Sequence, residues 1–157
     1  MTADDFSTLR TRRRLLQTGG ALAIVPWWSV RAAVIGLPDI PALSTFLAGR
    51  SPRSERVHLV LPQLADNGLV VPMSIRVDGP FAPASQVRAI HLFSEANPVP
   101  EMAVFEFPIP VERVEVESRV RLATTQRVIA VAVMSDGALY SAAVEVIVTL
   151  AGCMDGT

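Results

Sequence analysis

The sequence predicts an all-β, immunoglobulin-like antiparallel β-sandwich of about seven strands, with a short N-terminal helix and a flexible C-terminal tail. Three observations support this fold class. Beyond residue 56, apolar residues alternate with polar ones in several short segments. Turn-forming residues separate these segments at regular spacing. Half of the 157 residues are hydrophobic and 18% are charged, which indicates one folded domain with a sizeable core.

Residues 1–32 have the pattern of an export signal. Arg12 and Arg13 form a twin-arginine pair, an apolar run follows at residues 19–30, and residues 30–32 resemble a small-residue cleavage site. A membrane anchor is the alternative, but the run is too short to span a bilayer and Pro26 interrupts it. We therefore expect export to the periplasm by the twin-arginine route, with no membrane attachment after signal removal. The sandwich domain would cover residues 33–150 and the arm residues 151–157.

One helix is expected at the start of the mature chain. Within residues 37–49, Ile40, Leu43, Phe46 and Leu47 recur at helical spacing, and Gly49 ends the pattern. Strands follow at the segments with period-two alternation or continuous apolar character. These strands are residues 57–61, 69–77, 87–93, 102–107, 113–122, 127–134 and 139–150.

Individual strands carry further signals. Residues 127–134 are apolar on both faces, which predicts a central strand, whereas Pro72 indicates an edge or a bulge. Asp136-Gly137 favours a two-residue hairpin turn of type I′. In strand 113–122, valines alternate with charged residues, which predicts one buried and one solvated face. Its arginines could be solvated or could contact a partner; they are Arg113, Arg119 and Arg121.

Cys153 is the one residue with distinctive chemistry. It is the only cysteine and lies too near the end of the chain to be enclosed by a core. It is either a stray surface cysteine or a reactive thiol on a flexible arm, where Ala151, Gly152 and Gly156 would provide freedom. Without a second cysteine in the chain, a thiol redox protein is disfavoured.

Other classes of site find little support in the sequence. His58 and His91 lie within strands without neighbouring ligands at metal-binding spacing, so we interpret them as hydrogen-bonded or solvated strand residues. We expect no metal and no cofactor. A net charge of −1 gives no reason to expect nucleic acid as a partner. A binding or structural sandwich with an incidental cysteine remains the alternative to a thiol carrier.

Several stretches together are similar to one family. They include Leu64-Ala-Asp-Asn-Gly68, the run Ile90-His-Leu-Phe-Ser-Glu-Ala-Asn-Pro-Val-Pro-Glu101, and the ending Val146-Ile-Val-Thr-Leu-Ala-Gly-Cys153; residues 71–75, 119–126 and 131–137 also match. In these stretches the chain resembles SoxY, the carrier subunit of the bacterial thiosulfate-oxidising (Sox) system. The resemblance covers nearly the whole mature chain in order, and the twin-arginine signal agrees with it.

The resemblance implies a carrier that is not itself an enzyme. The domain would pair with a SoxZ-like subunit as a heterodimer, and Cys153 would hold sulfur intermediates covalently. A c-type cytochrome complex would couple thiosulfate to the thiol, and a hydrolase would release sulfate. The tail differs from the usual ending of two glycines, cysteine and two glycines, because Met154 and Asp155 follow the cysteine here. This difference raises the alternative of a divergent paralogue that serves other enzymes.

Overall fold

Strands form where the sequence alternates apolar and polar residues, because that alternation buries one face of a pleated strand. The computed structural model describes residues 37–151. Within this range no helix is long and apolar enough to cross a membrane. The elements are α1 (Pro41–Leu47), β1 (Val57–Val60), β2 (Leu64–Ala65), β3 (Val71–Val77), β4 (Val87–Ser94), β5 (Glu101–Glu106), β6 (Val114–Val120), β7 (Gln126–Met134) and β8 (Leu139–Val148).

The strands form two sheets that pack as a β-sandwich, so the predicted fold class is confirmed. One sheet has three strands in the order β1-β3-β6, and the other has five in the order β2-β8-β7-β4-β5. All pairs are antiparallel except β2 with β8, which is parallel. β7 lies between β8 and β4, as predicted for a central strand. Its residues 128–132 are fully buried.

Both faces of β7 are buried because each packs on a different layer. Val128, Ala130 and Ala132 face the core between the two sheets, where they join residues such as Ile75 of β3 and Ile90 of β4. Each fully buried branched side chain of this kind contributes about 1.5–3 kcal/mol to stability. The intervening residues of β7 face the opposite side, which α1 covers.

The short helix α1 packs on the outer face of the five-stranded sheet. Leu43 and the preceding Ile40 are buried against Phe93, Ile129 and Leu139. Proline is tolerated at the first helical position because its missing N–H would have no intrahelical partner there. The helix ends where Ala48 and Gly49 take left-handed backbone angles. The helix predicted within residues 37–49 is therefore confirmed.

All seven predicted strands are present, and the structure differs from the prediction in one added strand and in several strand ends. The described range contains eight strands, because the two-residue β2 gives no periodic signal. β3 begins at Val71, and Leu69 lies outside it with its side chain exposed. β8 ends at Val148, and Leu150 is exposed instead of sharing the buried face. Pro72 was expected to mark a sheet edge or a bulge. On the side of β1 this is confirmed, because β1 pairs only with residues 74–77 of β3 and leaves Pro72 without a strand partner on that side.

The turn between β7 and β8 also differs from the prediction. A two-residue type I′ turn requires positive φ at both central residues, but Gly137 has φ +84° and Asp136 does not have positive φ. Gly137 N donates to Met134 O (3.0 Å), and Met134 N donates to Ala138 O (2.9 Å). The connection is therefore a three-residue loop, a type I turn followed by a left-handed glycine.

Candidate functional site

The candidate site is the base of the C-terminal arm, where the chain leaves the five-stranded sheet. Ala151 is the last residue described; it is exposed and has no regular secondary structure. The remaining predicted arm residues lie outside the described residues, as do the arginines of the export signal and the predicted boundary between residues 32 and 33. These residues are Gly152, Cys153, Met154, Asp155, Gly156 and Thr157 of the arm, with Arg12 and Arg13 of the signal.

Hydrogen bonds from the segment around β2 hold the chain as far as Leu150. The short β2 strand lies parallel to the end of β8, and the loop after it continues the contact. The bonds run from Ile147 N to Gln63 O (2.9 Å), Thr149 N to Ala65 O (3.1 Å), Gly68 N to Leu150 O (2.8 Å) and Thr149 Oγ1 to Asp66 O (2.9 Å). Consecutive backbone bonds of this kind fix the direction in which the arm departs.

Two further bonds connect this base to the rest of the sandwich. The carbonyl of Gly68 accepts from Leu122 N (2.8 Å). The Thr125 hydroxyl accepts from Val148 N (3.0 Å). Residues 64–68 therefore link the base of the arm to the segment between β6 and β7. The sequence signal for this role was the match of residues 64–68 to the family pattern, not any local periodicity.

Asn97 organises the loops at the same end of the sandwich. Its Nδ2 donates to Arg121 O (2.8 Å), and its Oδ1 accepts from Ala123 N (2.9 Å) and from Gln126 Nε2 (2.8 Å). Gln126 is buried, and its Oε1 accepts from Ala96 N (2.9 Å). The segment that begins at Asn97 is a connecting loop between β4 and β5, and its asparagine holds it to the loop between β6 and β7.

An ion pair lies on the outer face of the five-stranded sheet near the arm. Arg127 donates to Glu95 through Nε (3.1 Å to Oε2) and Nη2 (2.9 Å to Oε1). This hydrogen bonding to Arg127 lowers the pKa of Glu95 below its ordinary value of 4.5 and raises the pKa of Arg127. Glu145 lies opposite Arg127 in the pairing of β7 with β8, and its negative charge also raises the pKa of Arg127.

Both histidines are paired with carboxylates from other strands or loops. His58 Nε2 lies 2.5 Å from Asp78 Oδ2, and the hydrogen bond with His58 lowers the pKa of Asp78. His91 Nδ1 lies 2.7 Å from Glu101 Oε1, and its ring packs on Phe46 with centroids 4.3 Å apart. Each is thus a hydrogen-bonded strand residue. Across residues 37–151, no three His, Cys, Asp or Glu side chains come together as a metal site.

The three arginines named as interface candidates are all exposed. Arg113 forms an ion pair with Glu115 of the same strand face. Arg119 and Arg121 lie beside a cavity of about 470 Å³ between β5 and β6, each of which is an edge strand of its sheet. Their exposure agrees with the solvated face predicted for this strand. A role of these arginines in contacting a partner stays a prediction.

Comparison with known families places the chain among sulfur-oxidation proteins. The sequence model of the family described as "Sulfur oxidation protein SoxY" matches residues 43–153, which is more than half of the chain. The structure of the sulfur carrier protein SoxY from Chlorobium limicola f thiosulfatophilum is 30% identical, with a TM-score of 0.55. The match covers 70% of this chain and 94% of that one. No curated protein matches the sequence.

Two other solved structures share the fold at low identity. A superoxide reductase (neelaredoxin) from Ignicoccus hospitalis is 17% identical with a TM-score of 0.51, covering 65% of this chain and 85% of that one. A putative superoxide reductase from Thermotoga maritima is 18% identical with a TM-score of 0.50, covering 59% and 84%. At these identities the likeness concerns the β-sandwich alone.

Proposed function

The chain belongs to the SoxY family of sulfur-oxidation proteins, and from this premise we propose that it is a sulfur carrier for thiosulfate oxidation. Thiosulfate-derived intermediates are held covalently on Cys153 while other enzymes oxidise and hydrolyse them. The family match and the likeness to a solved sulfur carrier support the carrier role in sulfur oxidation. The covalent attachment is our own extension of that role.

One observation carries the proposal: the sandwich fixes the chain firmly up to Leu150, three residues before its only cysteine. Gly68 N and the bonds around Thr149 anchor this point, and Ala151 beyond it is exposed. Three residues span at most about 10 Å. Because Leu150 and Ala151 are both exposed, we expect the thiol that follows them to be presented to other proteins. The family match also extends to residue 153 and so includes this cysteine.

The chemistry at Cys153 follows from the reactivity of a thiolate. An unperturbed thiol has a pKa of about 8.5, so only a minority of the thiol groups is ionised at neutral pH. In the first step the thiolate sulfur bonds to the terminal sulfur of thiosulfate, giving Cys–S–S–SO₃⁻ and two electrons, which an electron-accepting cytochrome takes up. In the second step water attacks the sulfonate sulfur and releases sulfate and two protons. The product Cys–S–S⁻ remains on the arm for further oxidation.

We further propose the setting in which this chemistry takes place. The twin arginines at Arg12 and Arg13 support export to the periplasm, where a SoxZ-like subunit would pair with the sandwich. The carrier has no catalytic role of its own and needs no cofactor. Met154 and Asp155 make its arm bulkier and more acidic than the usual glycine-rich ending, which points to enzymes with a wider entrance.

Replacement of Cys153 by serine tests the proposal. The variant should fold normally and keep its partner subunit, because the two apolar clusters of the sandwich are built from residues within 37–151. Cells that carry it in place of the native chain should lose thiosulfate oxidation entirely. Growth on thiosulfate at the native rate would instead assign the chain to a structural role with an incidental cysteine.

A further inference from the structure

Exposed apolar side chains concentrate at the base of the arm. Nine large hydrophobic residues are exposed within residues 37–151, and five of them lie in segments 64–70 and 147–150, which bond to each other. Their exposed fractions range from 45% to 65%. We name this set the arm-base patch, and its members are Leu64, Leu69, Val70, Ile147 and Leu150. A cluster of exposed apolar residues, unlike single scattered ones, indicates a contact surface.

The fold does not require apolar residues at these positions. Leu64 and Ile147 pair across β2 and β8 and project to the outer face, whereas the adjacent Ala65 and Val148 pack into the core. Helix α1 covers the same outer face only near Leu139 and Ala143, farther along β8. Polar residues would serve equally well at the uncovered positions. The apolar choice therefore points to a partner rather than to folding.

The length of the arm identifies which partner covers the patch. Leu150 is held by Gly68, and the three following residues extend at most about 10 Å. A protein that performs chemistry at Cys153 must bring its surface within that distance of Leu150. We propose that the arm-base patch is the docking surface for the enzymes that act on Cys153, an inference that rests on the function proposed above.

The surroundings of the patch resemble a protein interface of this kind. Glu145 lies two residues before Ile147 on the same strand face, and Arg127 pairs with it across the sheet. The Arg127–Glu95 ion pair extends this charged border. An apolar centre with a charged rim is the usual anatomy of a protein–protein contact.

The double variant Leu64→Gln with Ile147→Thr tests this inference, and Leu150→Ser is a second variant outside the strands. Ile109→Thr is the matched control. Ile109 is 69% exposed and follows β5, whose last residue pairs with Ala89 at the end of the sheet opposite the arm. Each protein is produced in cells in place of the native chain, and the initial rate of mass gain at Cys153 is measured after thiosulfate is added.

We expect a loading rate about tenfold lower for both patch variants, as typical for removing central contacts of an interface. The control should load at the native rate, and iodoacetamide should alkylate Cys153 equally in all four proteins. Equal loading of native and patch variants would overturn the docking surface while leaving the carrier role intact. A patch variant that loses a co-purifying subunit, or whose mass by light scattering changes, would assign the patch to a stable partner and overturn the inference. If the native chain itself never gains mass, the proposed function fails first.

Discussion

Substitution of Asn97 by alanine should destabilise the end of the sandwich that carries the arm. The native amide bonds four groups: Gln126 Nε2, Ala123 N, Arg121 O and, more weakly, Met102 Sδ. After the substitution, Gln126 is left as a buried donor without its partner, which costs about 1–3 kcal/mol. The partly buried Ala123 N–H adds about 1 kcal/mol. The carbonyl of the exposed Arg121 recovers a hydrogen bond from water at little cost.

The expected loss in the free energy of unfolding is therefore about 2–4 kcal/mol. For a domain of this size, such a loss lowers the melting temperature by roughly 10 °C. Urea denaturation followed by circular dichroism measures the free energy directly, provided that the dependence on urea concentration keeps the same slope.

Asn67→Ala is the matched control for this measurement. Asn67 is also a loop asparagine, but its side chain makes one exposed hydrogen bond, accepting from Leu69 N at 2.8 Å. We expect a loss below about 1 kcal/mol there. If both alanine variants lose the same free energy, the reasoning about buried donors at Gln126 is refuted.

Three further predictions concern the helix, the ion pair and the arm. Leu43→Ala should lower the free energy of unfolding by about 2–4 kcal/mol, because the Leu43 side chain of α1 is only 1% exposed. Thr45→Ala, at an exposed position of the same helix, is the control. An equal loss in the two variants would contradict this packing. The pKa of Glu95 is lowered in the folded state, so the stability it contributes is present above pH 4.5 and disappears as the pH falls through that lowered pKa. The stability difference between the native protein and Glu95→Gln should therefore shrink below pH 4.5, and a difference that is constant from pH 7 to pH 3 would be evidence against the ion pair. Met154→Gly with Asp155→Gly should speed turnover by enzymes whose entrance is narrow enough to require a glycine-rich arm. An unchanged rate with such enzymes would show that Met154 and Asp155 do not hinder entry of the arm.

Sequence periodicity was sufficient to predict the layers of the sandwich. Val114, Val120 and the charged residues between them alternate as expected for β6, since a strand with one solvated face must keep that pattern. The continuous apolar run of β7 correctly indicated burial on both faces. One face of β7 packs on the three-stranded sheet and the other on α1, a helix that the apolar spacing of the sequence also predicted.

The features that escaped prediction depend on contacts between distant parts of the chain. Leu64 and Ala65 are too few to show any periodicity, and their strand exists only because Ile147 and Val148 lie beside them. The carboxylates that pair with His58 and His91 are 20 and 10 residues away, so sequence spacing could not reveal them.

Local turn chemistry and the arm show the same limit. The Asp136-Gly137 pair is compatible with more than one hairpin turn. The three-residue form observed here is supported by Asp136 Oδ1, which accepts from Ala138 N at 2.9 Å.

For the arm, Cys153 was singled out because it is the only cysteine and lies near the end of the chain, and its role stays a prediction. The anchoring of its base by Gly68 was not foreseen from the sequence.

Intact mass spectrometry of the protein recovered from cells grown with and without thiosulfate tests the central claim most directly. Because the chain has a single cysteine, any reductant-labile addition can be assigned to Cys153 by peptide mapping. We expect an addition only in the thiosulfate-grown sample, and none in Cys153→Ser. An unmodified thiol under both conditions, in cells that oxidise thiosulfate normally, would contradict the carrier function.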